Sequence, residues 1–509
     1  MRGLKNRGDL TALVEAFEKQ EIPAATLLHE VLGENKDSQE YKDAFQKAFE
    51  DYLSEVTTRT ELVSRLLVLS HPGFGYLRRI DALIGEFERM FIEREELIRL
   101  IVLSIFAKRH IFLIGKPGVG KTDITETISG IFSDAKFWSI LMTRDTKVDQ
   151  LFGRITYDGD NKAVYDTVDT VLDSHFVLVD EQFKGPGETL NSLLQVMASG
   201  VFSQRGRQSK AETVSFFGCS NEIPLDESIA PFKDRYLFWY EVERIQGKEN
   251  FIKLVSDQFK VDKAINDQLE LADIDIVFDA GQSVEVPEEV YLKIYDLKEY
   301  LILMDNEVSD RKFRWAVSAL KVAAAINGRA YVNISDLFLM EHATWHSYTE
   351  RRNARLAVSE VLFGTTKQLD RQIMHSEEEY DKIMRLMKLE CAGYLNYTTR
   401  IEGRNKAQIF DNGREQLLAV LDQMSGLYKV AESTDNWRRR NLMIGEQIRE
   451  NVLVYGAEDR VFTTQMSQKV INFKAIVSRR VQEIADWLEK NPDLFAYEEN
   501  VVQRRSSVA

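Results

Sequence analysis

One stretch constrains this chain more than any other: Ile111-Phe-Leu-Ile-Gly115-Lys-Pro117-Gly118-Val119-Gly120-Lys121-Thr122-Asp123. Four successive apolar residues read as a buried strand, and Lys121-Thr122 open a helical pattern. The turn between them fits G-x-x-x-x-G-K-[ST]. Its glycines let backbone N–H groups curl around an anion with no Cβ in the way, and the helix that follows adds the positive end of its dipole. Lys121 is placed to reach the terminal phosphates of a nucleotide, and the Thr122 hydroxyl to bind Mg²⁺. Gly115, Pro117, Gly118, Val119, Gly120, Lys121, Thr122 and Asp123 are therefore the candidate cofactor-binding residues.

A strand–loop–helix of this kind belongs in a layered α/β domain, and the following segments supply one. Phe137–Leu141, Phe176–Asp180 and Val214–Cys219 are further apolar runs separated by helical patterns. That alternation predicts a parallel sheet wrapped by helices. The second run ends in Asp180-Glu181 and the third in Ser220-Asn221. A carboxylate at Asp180 can orient Mg²⁺ or its bound water, and Glu181 can activate a water for attack on a γ-phosphate. Asn221 can hold that water or touch the phosphate without adding charge. Beyond it, Asp234-Arg235 offers a guanidinium that can meet the γ-phosphate of a neighbouring subunit. Arg311 begins a later helix and can reach the nucleotide of its own subunit; Arg314 competes for that role, and spacing does not separate them.

Helical patterns flank this centre. Tyr41, Phe45, Phe49 and Tyr52, then Leu62, Leu66 and Leu69, repeat at three-to-four spacing, and His71-Pro-Gly-Phe-Gly75 breaks the pattern. Later faces are Ile383–Tyr394, Leu417–Met424 and Val470–Leu488. The expected division is a helical N-terminal domain over 1–84, a nucleotide-binding core over 85–245, an all-α lid over 246–365 and a helical domain over 366–509. In the lid, Val286-Pro-Glu-Glu289 starts one helix, Arg311–Leu320 forms another ending at Asn327-Gly328, and Ser335-Asp336 caps the next. Gly200–Val214 reads as a hairpin centred on Gly206, with another turn at Asp158-Gly-Asp160.

Charge narrows the function. The 509 residues carry a net charge of −15, which argues against a general nucleic-acid binder, even though Trp437-Arg-Arg-Arg440 is a basic cluster. Two cysteines, Cys219 and Cys391, suggest neither a disulfide framework nor a metal site, and a cytoplasmic setting is expected. No segment offers the ~18 apolar residues of a membrane span, and no signal-peptide run follows the first residues. His342 and His346 stand four apart, with no third metal ligand evident.

Taken in order, phosphate loop, Asp-Glu strand end, asparagine, Asp-Arg and lid arginine resemble an AAA+ ATPase. More narrowly the chain resembles the MoxR family and its RavA branch, through GKPGVGKT, LMTRDTKVDQLFG, VLVDEQFKGPGETLNSLL, GCSNEIP, KDRY and VSDRKFRWAVSALKVAAAINGRA. The resemblance spans about residues 85–360. It implies ATP and Mg²⁺ as cofactors, with Lys121 and Thr122 on phosphate and metal, and Asp180 and Glu181 as metal and catalytic acids. Asn221 becomes the first sensor, Arg235 a finger acting in trans and Arg311 the second sensor. It also implies a ring, expected to be a hexamer, that remodels a protein client, often one with a von Willebrand type A domain. One departure stands out: Gln182-Phe183 occupies positions where the family usually carries an apolar residue and then Asn or Trp. The small β-domain inserted in RavA-like proteins has no matching run of strands. A nucleic-acid motor or restriction subunit of related type is the alternative, and a non-catalytic nucleotide-dependent scaffold is the third.

Overall fold

The computed structural model describes residues 7–32, 39–54, 76–157, 163–204, 207–223, 230–256, 268–363 and 438–455, with scattered positions elsewhere. Two compact units result: Met1–Leu362 with Gln447–Ala457, and Phe363–Glu446 with Glu458–Ala509.

In the first unit the sheet organises everything. Five strands, β1 (His110–Ile114), β2 (Phe137–Leu141), β5 (Phe176–Asp180), β8 (Ser215–Ser220) and β9 (Tyr236–Glu241), lie in the order β2-β5-β8-β1-β9. Every pairing in it is parallel. Interior strands of such a sheet are covered on both faces, and their sequences show it. Ile111, Phe112, Leu113 and Ile114 are fully buried, as are Phe176, Val177 and Val179. Because the strands run the same way, all their C-terminal ends lie along one edge. All their N-terminal ends lie along the other, roughly 15 Å away at ~3.3 Å per residue.

Helices cover the faces. Glu95–Phe106 buries an almost continuous apolar surface from Leu97 to Phe106 and packs against β1 and β9. Lid helices Leu271–Ser283 and Asp310–Ile326 pack on it and on each other. Two small hairpins leave the core, β3 (Arg154–Tyr157) with β4 (Ala163–Asp166) and β6 (Val201–Gln204) with β7 (Arg207–Lys210). The second is the hairpin expected over 200–214; the tips at 158–160 and at Gly206 lie outside the described residues.

At the N-terminus, Arg7–Glu18, Ala24–Leu32 and Gln39–Leu53 bury Leu10, Val14, Leu27, Phe45 and Phe49 with Leu62 and Leu66 in a cluster of their own. Phe45 and Phe49 pack with centroids 4.8 Å apart, so the predicted stripe is a core. The boundary expected at 84 falls inside the helix Tyr76–Met90, whose Ile80, Leu83, Ile84 and Phe87 are buried, and the chain does not break there. His71–Gly75 lies outside the described residues, as do the faces at 383–394 and 417–424 and most of 470–488.

The lid confirms most of its predicted punctuation. Pro287 caps Glu288–Leu303. Asp310–Ile326 starts at Ser309, whose hydroxyl accepts from the Lys312 amide at 3.2 Å, and ends at Asn327. One cap is corrected. Asn333, not Ser335, caps the short helix Ile334–Leu339, and Asp336 is its reciprocal partner, accepting from the Asn333 amide at 2.9 Å. The fully buried Asp336 carboxylate also takes the Arg329 fork, with contacts of 2.6 and 2.8 Å.

Candidate nucleotide site and the opposite sheet edge

The C-terminal edge of the sheet gathers the predicted chemistry. Ile114, the last residue of β1, is in register with Ser220 of β8 and with Glu241 of β9. The phosphate loop, Asn221 and the exit of β9 therefore meet at one level. Next along, β5 delivers Asp180-Glu181 to the same edge. Gly118 and Gly120 hold φ of +80° and +86°, and the space where a Cβ would stand is open at both. Val119 is buried under the loop, while Lys116, Pro117, Gly118, Gly120, Thr122 and Asp123 are exposed along its outer face.

Lys121 is only 7% exposed. Its ammonium donates to the Gly115 carbonyl at 2.5 Å, the Lys116 carbonyl at 3.3 Å and Asn221 Oδ1 at 3.4 Å. All three partners are neutral oxygens. A buried cation held this way, at the mouth of a loop lined with backbone amides, fits an anionic phosphate. Across from it, Asn221 Nδ2 donates to Glu181 Oε1, so one side chain links the lysine to the glutamate. Asp180 Oδ1 accepts from the Glu181 amide at 2.9 Å. Glu181 itself has φ of +49°, a left-handed conformation that costs a non-glycine residue on the order of 1 kcal/mol. Oxygen donors at Thr122 and Asp180 suit a hard cation such as Mg²⁺. Cys219, buried beside this group, has its thiol pushed far up by burial and by Asp180, and is inert.

The N-terminal edge is different in character. Tyr236 is in register with His110, so Arg235 lies level with Arg109 at the far end of β1 from Lys121. Arg235 Nη1 stands 3.6 Å from Asp234, and its Nε is buried without a partner. Asp234 also takes Arg311 and accepts from the Ser309 hydroxyl. This bears on Arg311, the expected second sensor. The helix it begins is anchored on Asp234, so its guanidinium lies beside Arg235 and over the Trp315 ring, at the edge opposite the phosphate loop of its own subunit. Arg314 is no better placed: it repels Arg109, which lies at the same edge.

Deeper in, Lys312 is 1% exposed and meets His346 Nε2 at 2.7 Å, while His346 Nδ1 faces Glu350 at 3.4 Å. Burial, reinforced by Lys312, lowers the His346 pKa to about 4. His342 has a separate partner, Glu96, at 3.2 Å, so the two histidines do not converge.

Sequence reasoning missed two arginines at the phosphate edge. Arg351, on Tyr348–Phe363, pairs with Glu241 and stands 3.7 Å from Glu243. It is the lid arginine on the side where Arg311 was expected. Arg94 Nη2 donates to the Val119 carbonyl at 3.1 Å and the Glu243 carbonyl at 3.0 Å, bracing the loop against the exit of β9. Neither has a local sequence signal, because both act on segments distant in the chain.

A strand order of 2-5-8-1-9 with the phosphate loop after the fourth strand in space, paired acids on the second and a helical lid is the arrangement of an AAA+ ATPase. Comparisons with known proteins agree. Residues 78–278 match the family model of a MoxR domain in the MoxR-vWA-beta-propeller ternary systems, and residues 289–358 match that of an AAA lid domain. Two uncharacterized proteins of Methanocaldococcus jannaschii are similar. One is 28% identical over 59% of this chain and 78% of its own length, and the other 26% identical over 69% and 98%. The chaperone MoxR1 of Mycobacterium tuberculosis is 27% identical over 31% of this chain and 43% of its own length. Residues 78–278 are thus similar to a MoxR domain and residues 289–358 to an AAA lid, on an AAA+ type of fold. Among the described residues no helix is long and apolar enough to cross a membrane.

Proposed function

We propose that the protein hydrolyses ATP with Mg²⁺ in a ring, a hexamer, and uses the cycle to remodel or mature a protein partner in a chaperone-like way. The observation that carries the hydrolytic part is Asn221, whose amide touches both the Lys121 ammonium and the Glu181 carboxylate at one strand edge. Lys121 would hold the terminal phosphates of ATP, and Thr122 and Asp180 would supply oxygen ligands to Mg²⁺, which when bound would neutralise part of the phosphate charge. Glu181 accepts the proton of the attacking water, and Asn221 fixes the direction of that carboxylate. Arg235, at the other edge, serves the nucleotide of the neighbouring subunit.

For the client, the matched family model describes systems that pair MoxR with a vWA protein, and one relative is named a chaperone. The first favours a partner with a von Willebrand type A domain, and the second a chaperone-like role. The likeness to the RavA branch rests on the sequence strings alone. A cytoplasmic location goes with this reading.

Glu181→Gln tests the proposal. It is expected to keep ATP binding, lose about 10²–10⁴-fold in turnover and retain clients in pull-downs. Near-normal hydrolysis by this variant would remove Glu181 as the base.

A further inference from the structure

The two residues that depart from the family pattern, Gln182 and Phe183, directly follow the catalytic acid. Both reach across the sheet to the element that carries Arg235. Gln182 is fully buried, and its Oε1 accepts from the Tyr236 hydroxyl at 2.6 Å. Tyr236 is the residue after Arg235 and is itself fully buried. Phe183 packs on Phe112 of β1 at 5.1 Å and edge-on against Phe232 at 5.9 Å. Phe232 lies on the short helix Ala230–Lys233 that leads into Asp234-Arg235.

The path is tight. A Cβ on Gly218 of β8 would stand 2.6 Å from Gln182 Oε1, 2.6 Å from Tyr236 Cζ and 2.5 Å from Phe112 Cδ2. Only glycine lets these groups meet over the central strands. The register of β9 against β1 slips between His110 and Ile111, leaving Leu237 as an extra residue beside Tyr236. Such a bulge re-aims the side chains around it. Burial holds the Tyr236 hydroxyl far above its usual range, so it remains a donor. The second amide atom, Gln182 Nε2, is buried without a partner. An apolar residue at 182 together with Phe at 236 would spare both the unpaired donor and the buried hydroxyl, so the pair is costly unless its bond has a use.

We propose that Gln182 and Tyr236 are positioning residues, which with the Phe183–Phe232 contact tie the catalytic acid of each subunit to the finger it presents to its neighbour. The inference rests on the reading that Arg235 acts in trans. Gln182 and Tyr236 thereby fix where Arg235 stands relative to the Glu181 turn, and so how it meets the next nucleotide.

Mixed assemblies of the full chain test this. Lys121→Ala subunits supply only a finger, and Arg235→Ala subunits supply only an intact phosphate loop. Gln182→Leu or Tyr236→Phe is placed in the Lys121→Ala partner alone. The mixture is expected to lose about tenfold or more in kcat, since misplacing a group by 1 Å can cost ~10². KM for ATP stays unchanged, because the hydrolysing sites belong to unaltered subunits. Tyr236→Phe keeps the ring and removes only the hydroxyl, which guards against a folding defect. Combining both changes leaves no unpaired polar atom from the pair, and the mixture is expected to stay slow. Recovery of the rate by that double variant would reduce the pair to a matter of burial and overturn the proposal. It is also overturned if donor-side changes leave kcat intact while the same changes in the Arg235→Ala partner slow it. A parent mixture no faster than the sum of its parts would instead overturn the trans reading beneath it.

Discussion

The two edges of one five-stranded sheet carry opposite designs. At the C-terminal edge, glycines at positive φ open the backbone, a buried ammonium rests on neutral oxygens, and two carboxylates wait beside an amide. At the N-terminal edge, Arg109 and Arg311 lie over Trp315, Arg235 and Arg311 share Asp234, and a buried lysine meets a histidine. The first edge is built to receive an anion of its own. The second gathers arginines, Arg311 exposed and Arg235 mostly buried, held in place by an aromatic face and one acid. Parallel strands produce this polarity, since every loop after a strand lands on one side and every loop before a strand on the other.

Several substitutions bear on that contrast. Lys121→Ala should have the largest effect, loss of measurable nucleotide binding by fluorescence titration with a melting temperature close to that of the parent. Retained affinity would move phosphate capture elsewhere. The lid arginines separate the edges more finely. Arg351→Ala acts at the phosphate edge and is expected to weaken ATP affinity about tenfold, the value of one charge-assisted contact of ~1.5 kcal/mol. Arg311→Ala acts at the finger edge and should lower the rate in assembled protein with affinity unchanged. Exchange of those two outcomes would restore Arg311 as the sensor of its own subunit.

Acid should act selectively on the finger edge. His346 and His110 are both held near pKa 4, each chiefly by burial, with Lys312 and Arg109 respectively adding to it. These folded values lie below the ordinary 6.5, so the unfolded chain takes up protons first as pH falls. Their contribution is complete above about pH 6.5 and is lost between there and about 4, on the order of 1–3 kcal/mol per histidine. Melting temperature measured across that range should drop, and His346→Gln should flatten part of the slope. A flat profile in the parent would show that neither ring is buried neutral.

The phosphate edge was largely legible in the sequence because its signals are local. The loop is contiguous, and Asp180, Glu181 and Asn221 each end an apolar run. What was illegible depends on register between distant strands. Gln182 and Tyr236 are 54 residues apart, and no spacing rule pairs them. Arg311 begins a helix, which suggests a sensor for its own nucleotide; in the structure it meets Asp234, which sits before β9 and so at the opposite edge. The cap at Asn333 is hidden in the sequence because Ser335 and Asp336 are also capping types, and only the backbone shows which residue precedes the turn.

If one subunit's finger edge completes its neighbour's phosphate edge, the ATPase rate of Lys121→Ala and Arg235→Ala proteins, alone and mixed, depends on mixing ratio. Each alone should be nearly inactive, Arg235→Ala through loss of a contact that can be worth ~10³–10⁵ in rate. Mixed, they should recover activity that peaks at intermediate ratios, where intact loops most often face intact fingers. Mixtures shown to exchange subunits that never exceed the sum of their parts would rule out a finger acting in trans. So would a parent rate per subunit that stays constant down to demonstrably monomeric protein.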